Sequence, residues 1–289
     1  MILLLGASGY VGGAFAANLR ARGLPFAAPS HGELEAGSKD ALAAALDALH
    51  PDFVINAIGF TGRPNIDGTE HEKLRCLTAN TTVPGVLAEV LADRGIRWGH
   101  VSSGCIFDGT RADGLPFTEN DPPNFAFSHP HASWYSRTKA LAETLLSEHP
   151  NCLVWRLRIP FDQFDNERNY LSKLMRYDQL LEATNSISQL QEFAAAGVES
   201  LVRRLPGGLY NVTNPGAITT AEAVEMIRKS GLCDKEFQYF QNEANFLSAP
   251  GRVKRASCIL SCEKLAAAGI KMREVHDSVE WSLQHWQRG

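Results

Sequence analysis

No stretch of this 289-residue chain comes near the roughly 18 apolar residues that a membrane-spanning helix needs, so a membrane is not expected as a partner. The apolar start, Met1 to Leu5, is too short for the core of a secretion signal, lacks a basic lead and runs straight into glycines, which points to a soluble, cytoplasmic protein. Charge of one sign is missing too: 28 Lys+Arg face 32 Asp+Glu, for a net charge of -4, with no basic run or basic amphipathic helix. That balance argues against nucleic acid as the main partner, while a small anion still needs only a local positive site. The six cysteines, Cys76, Cys105, Cys152, Cys233, Cys258 and Cys262, form no CxxC pair and no disulfide framework. Cys258 and Cys262 lie four apart without a second pair or a histidine cluster at zinc-site spacing, so no metal is expected. Internal repeats and low-complexity segments are absent as well.

What the chain does contain is an alternation. Residues 2–5, 53–58, 98–107 and 153–160 read as buried strands, being short apolar runs closed by glycine, proline or polar residues. Residues 14–20, 40–49, 70–94 (as two helices) and 134–148 carry helical patterns, and 25–29 fits a short second strand. Strand and helix in turn imply an α/β fold with a right-handed, doubly wound parallel sheet. After Pro160 the pattern changes. Residues 169–177 read as a polar helix, 180–192 are mixed, 208–212 read as a strand returning to the sheet, and 219–230 as a helix with Glu222 and Glu225 near its start.

Gly6, Gly9 and Gly12 stand between the first strand and an alanine-rich helix, within Gly6-Ala7-Ser8-Gly9-Tyr10-Val11-Gly12. Glycines there let the backbone approach a pyrophosphate held on free helix N–H groups. The spacing is GxxGxxG, where the dinucleotide fingerprint is GxGxxG. At the end of the second strand no acidic residue waits for the 2′-hydroxyl of NAD. Ser30 and His31 are there, a pairing that leans toward a 2′-phosphate and NADP(H), with NAD(H) as the alternative. The expected division is therefore a dinucleotide-binding domain over 1–160, joined by the strand near 208–213, and a smaller α/β substrate lobe over 161–289.

Ser103 and Cys105 lie at the carboxyl end of the 98–107 strand, where open parallel sheets place their active sites. Tyr135 and Lys139 are four apart and share one helix face. A hydroxyl, a phenol and an ammonium converging in this way can polarise a carbonyl. Arg63 and Arg255 are candidates for diphosphate or sugar contacts, since the planar guanidinium matches phosphate.

Gly6/Gly9/Gly12, Asn80, Ser103 and Tyr135-x-x-x-Lys139 together resemble the extended short-chain dehydrogenase/reductase family, which has a Rossmann sheet. The resemblance implies Tyr135 as the proton carrier at a carbonyl or alcohol and Lys139 as the group that lowers the phenol's pKa and binds the nicotinamide ribose. It implies Ser103 on the reacting oxygen and Asn80 as a structural or water-holding group behind the lysine. It also places Gly6, Ser8, Gly9, Tyr10, Val11, Gly12, Ser30, His31, Ala57, Gly59, Thr61, Asn80 and Ile159 around the cofactor, and allows a homodimer.

Within that family, Gly59 to Asp67, Ser103-Gly104-Cys105-Ile106-Phe107, Arg168 to Lys173, Asn185-Ser186 and Tyr210 to Gly216 resemble the plant nucleotide-rhamnose synthase/epimerase-reductase group. Those proteins are relatives of dTDP-4-dehydrorhamnose reductase. The simple reductases typically have aspartate and tyrosine where this chain has Gly104 and Cys105. The resemblance implies a nucleotide-linked 4-keto-6-deoxy sugar as substrate, reduced at C4 with NADPH and epimerised at C3 and C5 in the same site. Cys105 and Lys173 would be the two proton carriers, and Arg63, Asn65, Ser103, Asn169, Asn185 and Arg255 would line the sugar with them. Gly68-Thr69, residues 110–133, residues 188–193 and Arg255-Ala256-Ser257 depart from the group, which leaves the nucleotide and sugar open. A single-activity 4-ketoreductase, a 4-epimerase and a non-catalytic regulatory subunit remain the alternatives.

Overall fold

The apolar runs of the first half lie side by side as strands. The computed structural model describes residues 1–288. In chain order the strands are β1 (Ile2–Leu5), β2 (Phe26–Ala27), β3 (Phe53–Asn56), β4 (Arg97–Ser103), β5 (Cys152–Leu157), β6 (Pro160–Phe161), β7 (Gln179–Leu180), β8 (Thr184–Asn185), β9 (Ser188–Gln189), β10 (Gly208–Asn211), β11 (Ile218–Thr219) and β12 (Gln238–Tyr239). The helices are α1 (Tyr10–Ala21), α2 (Lys39–Leu49), α3 (Lys73–Leu77), α4 (Val83–Asp93), α5 (Trp134–Leu146), α6 (Tyr170–Arg176), α7 (Leu190–Val202), α8 (Thr220–Lys229), α9 (Glu243–Leu247), α10 (Glu263–Ala267) and α11 (Val275–Gln284). No helix among the described residues is long and apolar enough to cross a membrane.

Six strands form one sheet in the order β10-β5-β4-β3-β1-β2, every neighbouring pair parallel. Alternation along β1 sorts its side chains to both faces: Ile2 and Leu4 pack with Phe15, Leu19 and Phe193 from α1 and α7, while Leu3 and Leu5 pack with Leu42, Leu46, Leu87 and Leu91 from α2 and α4. Helices cover both faces, so this is a doubly wound α/β sheet of the Rossmann kind. Trp155 stacks on Phe15 with ring centroids 5.6 Å apart. The neighbouring strand makes room for it at Gly99, where a Cβ would come within 1.9 Å of the indole.

The remaining strands pair in twos, β6 with β9, β7 with β12 and β8 with β11. With α6, α8 and α11 they enclose a second core containing Phe161, Leu171, Leu174, Val224, Ile227 and Val279. Helix α8 opens on a capping box in which Thr219 and Glu222 satisfy each other's backbone.

Two local expectations change. The strand expected over 98–107 ends at Ser103, and residues 104–106 turn into a 3-10 helix, so Cys105 sits on a turn rather than on the strand. The mixed segment 180–192 contains the start of α7, which is capped by Gln189, a residue outside the usual capping set; its side chain accepts from the Glu192 N–H at 2.7 Å.

Candidate active site

With six parallel strands, all carboxyl ends share one edge, and the strand order reverses between β1 and β3, which opens a crevice at that point. The glycine loop forms its β1 side. Gly6 has φ 81°, and a Cβ there would stand 2.8 Å from the Ile58 nitrogen, while one on Gly12 would come within 2.0 Å of the Gly6 carbonyl oxygen. Both positions admit only glycine. Gly9 differs, for its Cβ would meet only the Gly6 oxygen at 3.4 Å. The Gly13 N–H reaches the Gly9 carbonyl at 2.7 Å and closes the first helical turn, so the N–H groups of Tyr10, Val11 and Gly12 have no helical partner. With Ser8 exposed beside them, these groups fit the pyrophosphate of a dinucleotide. The Tyr10 hydroxyl turns inward toward Asp162, and burial with that carboxyl pushes the phenol up. Tyr10 therefore offers a cofactor its backbone and not its hydroxyl.

On the β3 side, Ala57 continues the β1–β3 pairing through a 3.0 Å bond to the Leu5 carbonyl. A Cβ on Gly59 would sit 3.3 Å from Asn80 Oδ1 and 3.5 Å from Lys139 Nζ. Asn80 lies in a π turn between α3 and α4 and is fully buried. Its Oδ1 accepts from the Phe60 N–H at 2.8 Å, and its Nδ2 donates to the Phe60 carbonyl at 2.9 Å and to Thr138 Oγ1 at 3.3 Å. It clamps the loop after β3 onto α5, the structural role behind the lysine that was expected of it.

Ser103 ends β4, and its Oγ accepts from the Cys105 N–H at 3.1 Å, fixing the turn that presents the thiol. Ser133 caps α5, and one turn in, Tyr135 and Lys139 both lie on its buried face. Ser102 and Arg156 hold that helix in register through Glu143: Ser102 Oγ donates to Glu143 at 2.6 Å and Arg156 Nη2 at 2.8 Å. Burial pushes the Tyr135 phenol up and the Cys105 sulfur adds to the shift, while a hydrogen bond with Ser103 and the charge of Arg158 oppose it. Lys139 donates to the Val101 carbonyl at 2.9 Å, and burial lowers its ammonium to about 8. At neutral pH the phenol holds its proton and can donate it to an oxygen that Ser103 also reaches.

The other candidates are distributed unevenly. Lys173, on α6, is half-buried, and burial first, then Arg168 and Arg255, lowers it to about 8. Asn169 was expected at the substrate. It is instead the fully buried N-cap of α6, donating to the Asp162 and Phe164 carbonyls at 2.9 and 2.8 Å and accepting from the Leu171 N–H at 3.0 Å. Asn185, also placed at the substrate, is buried and spends its Oδ1 on Arg158 and on the Cys258 N–H at 3.1 Å. Arg255 grips both oxygens of Asp67, at 2.6 and 2.7 Å, so its charge is matched by a carboxylate before any diphosphate arrives. Asn65 accepts from the Asp67 N–H at 2.9 Å and caps the 3-10 turn over Ile66–Glu70. Arg63 and Thr61 are exposed, and Thr61 Oγ1 accepts from Arg168 at 2.8 Å. Beyond β2, Ser30 donates to Glu33 at 2.8 Å and His31 lies 3.4 Å from Glu35, so two carboxylates stand beside the spot assigned to a 2′-phosphate. Ile159 has φ 37°, a left-handed value unusual for a β-branched residue, where the chain leaves β5 for the second core.

One buried charge beside the candidate site escaped the sequence reading. Arg158 is almost wholly buried and donates to the Cys105 sulfur at 2.9 Å. The signal was available: Arg156 and Arg158 lie two apart in an otherwise apolar stretch, and a buried strand seldom carries charge without a partner to match it. Among the described residues, no group of three or more His, Cys, Asp or Glu side chains could hold a metal ion.

Similarity to known proteins agrees with this geometry. The bifunctional dTDP-4-dehydrorhamnose 3,5-epimerase/dTDP-4-dehydrorhamnose reductase of Arabidopsis thaliana is 32% identical over 286 residues, covering 96% of this chain and 90% of that protein. A trifunctional UDP-glucose 4,6-dehydratase/3,5-epimerase/reductase of the same plant is 30% identical, and this chain spans 41% of its length. The crystal structure of the L780 UDP-rhamnose synthase of Acanthamoeba polyphaga mimivirus superposes with a TM-score of 0.89 at 24% identity, over 98% of both chains. The family model described as the RmlD substrate binding domain matches residues 1–288, and the chain belongs to that family.

Proposed function

We propose that this protein reduces a nucleotide-linked 4-keto-6-deoxy sugar at C4 with NADPH, and epimerises it at C3 and C5 in the same pocket. The observation that carries this is the placement of two kinds of proton carrier at one sheet edge: the neutral phenol of Tyr135 beside Ser103, and the thiol of Cys105 two residues on. The similarity to the bifunctional plant enzyme supports the same pairing.

When bound, the nicotinamide supplies a hydride to C4. The chain's own residues do the rest. Ser103 holds the C4 oxygen, Tyr135 gives it a proton, and Lys139 holds the ribose while its ammonium faces the Val101 carbonyl. The C3 and C5 hydrogens are both α to the C4 ketone. Cys105 and Lys173 exchange them, one removing a proton to leave an enolate, the other returning a proton from the opposite face. Lys173 at about 8 can trade a proton near neutrality, as an unperturbed lysine near 10.4 cannot. The glycine loop favours a dinucleotide in general. NADP(H) is preferred over NAD(H) by analogy with the NADP complex of a Bacillus anthracis reductase of the same fold. In this reading residues 161–289 supply most of the sugar lobe, the protein works in the cytoplasm, and a homodimer is allowed.

The test is incubation with UDP- or dTDP-4-keto-6-deoxyglucose in D2O, with and without NADPH. Deuterium at C3 and C5 without NADPH, and a rhamnose-configured product with it, are the expected results. Reduction without deuterium leaves a plain 4-ketoreductase, and the absence of NADPH oxidation removes the reductase as well.

A further inference from the structure

Arg158 directly follows β5, and its guanidinium is buried beneath the candidate site. Nη1 donates to Cys105 Sγ at 2.9 Å, Nη2 donates to Asn185 Oδ1 and to the Ala256 carbonyl, and Nε has no partner. Among the described residues no carboxylate stands within ion-pairing distance of it; Asp108, the acid whose charge reaches it, is itself paired with Lys254 at 2.9 Å. A guanidinium sealed from water with only neutral oxygens around it is costly, and a negative charge on a contacting atom removes that cost. Two sulfurs lie against it, those of Cys258 and Cys105; Cys258 is buried and turned to the Gly104 carbonyl, which leaves the half-exposed Cys105 as the one that can carry such a charge at the site.

The titratable groups around that sulfur leave it this role. From α5, Tyr135 keeps its proton and Lys139 is engaged with the Val101 carbonyl. From the segment before α10, Cys258 is pushed by burial up to about 11 and donates to the Gly104 carbonyl at 3.3 Å. Asp108 is matched by Lys254. The backbone is shaped for the same contact, because a Cβ on Gly104 would come 2.7 Å from Leu260 Cδ1 and 3.2 Å from Arg158 Cδ. Glycine before the cysteine gives the arginine stem its path.

Resting on the epimerase-reductase reading, we propose that Arg158 is a positioning residue for the epimerase half of the reaction: it fixes the Cys105 sulfur and balances its negative charge when the thiol has lost its proton. Cys105 is then the base. The thiolate takes the proton from C3 or C5, forming the S–H bond as the C–H bond breaks, and the C–H electron pair passes into the enolate at C4. The Lys173 ammonium protonates the same carbon from the other face. Solvent returns a proton to the amine and removes one from the thiol, so the cycle closes without an oxidant or reductant.

The experiment compares wild type, Arg158→Met and Arg158→Lys by three readouts. These are deuterium exchange at C3 and C5 without NADPH, NADPH-dependent reduction of a nucleotide-linked 4-keto sugar already epimerised at C3 and C5, and iodoacetamide alkylation of Cys105 against pH, taken as the difference from Cys105→Ser. For Arg158→Met the expected results are exchange lost by about 100-fold or more, reduction lowered by less than about tenfold, since the Arg158 charge is the last of the named influences on Tyr135, and alkylation slowed about tenfold near neutral pH. Arg158→Lys keeps a buried cation without the fork, so exchange should fall about tenfold with reduction kept; it serves if the Met variant does not fold. Exchange at the wild-type rate, or exchange and reduction falling together in either variant, overturns the proposal. A wild type that reduces but exchanges no deuterium defeats the epimerase reading itself, a result distinct from either.

Discussion

Lys173 and Ser30 show how single side chains set the conditions under which this site works. With Lys173 as the acid, its ammonium must be present. Burial and two neighbouring arginines lower it to about 8, so the proton is held below that pH and lost above it. Exchange at C3 and C5 should therefore decline as pH rises through about 8, approaching tenfold per unit. Exchange rates measured from pH 6 to 10 check this, and Lys173→Arg, whose guanidinium does not give up its proton, should lose exchange at every pH; a rate still climbing above pH 9 would make Lys173 the base. At the other end of the cofactor, the Ser30 hydroxyl and N–H are both turned to Glu33, at 2.8 and 2.7 Å. With a 2′-phosphate at the site proposed for it, that carboxylate would repel it across solvent. Glu33→Gln is expected to raise kcat/KM for NADPH by up to about fivefold and to leave NADH almost unchanged. Equal effects on both cofactors would place the 2′-phosphate elsewhere.

At the scale of elements, the junction of β1 and α1 is the least forgiving. A side chain on Gly12 meets a backbone oxygen 2.0 Å away, so Gly12→Ala must shift the loop that carries the free N–H groups of Tyr10 and Val11. Its KM for NADPH should rise about tenfold or more, while exchange at C3 and C5, which needs no hydride, persists. Titrating both activities in the variant separates a damaged cofactor loop from a damaged fold. The same junction was readable in the sequence, because glycine spacing between an apolar run and an alanine-rich helix is dictated by backbone approach alone. Helix α5 was readable for a similar reason: Tyr135 and Lys139 recur at helical period. Helix α7 was not. Its cap is Gln189, its start follows a two-residue strand, and its burial comes from packing Phe193 onto Phe15, a contact between residues 178 positions apart that no local pattern records.

Across the whole molecule, the site is assembled from both ends of the chain. Arg255 reaches Asp67, Arg168 reaches Thr61 and Gly62, and Arg158 joins Cys105 to Asn185 and Ala256. Ser103 was legible because it ends a strand of a parallel sheet, and Tyr135 and Lys139 because they share one face of α5. Sequence reasoning did not show that Asn169, Asn185 and Arg255 fasten one segment to another, because a polar residue in a matched motif looks the same whether or not it also serves the fold. The contact of Cys105 with Arg158 could not be read, because a linear reading left Arg158 inside a strand. In the proposed reaction, reduction and epimerisation share one pocket floor but depend on different side chains. A single incubation with NADPH in D2O, run side by side for Tyr135→Phe and Cys105→Ser, separates them. Tyr135→Phe should lose C4 reduction by about 100-fold or more while deuterium still enters C3 and C5, and Cys105→Ser should lose the deuterium while still reducing a nucleotide-linked 4-keto sugar already epimerised at C3 and C5. Parallel loss of both activities in both variants would contradict a pocket with two separable proton chemistries.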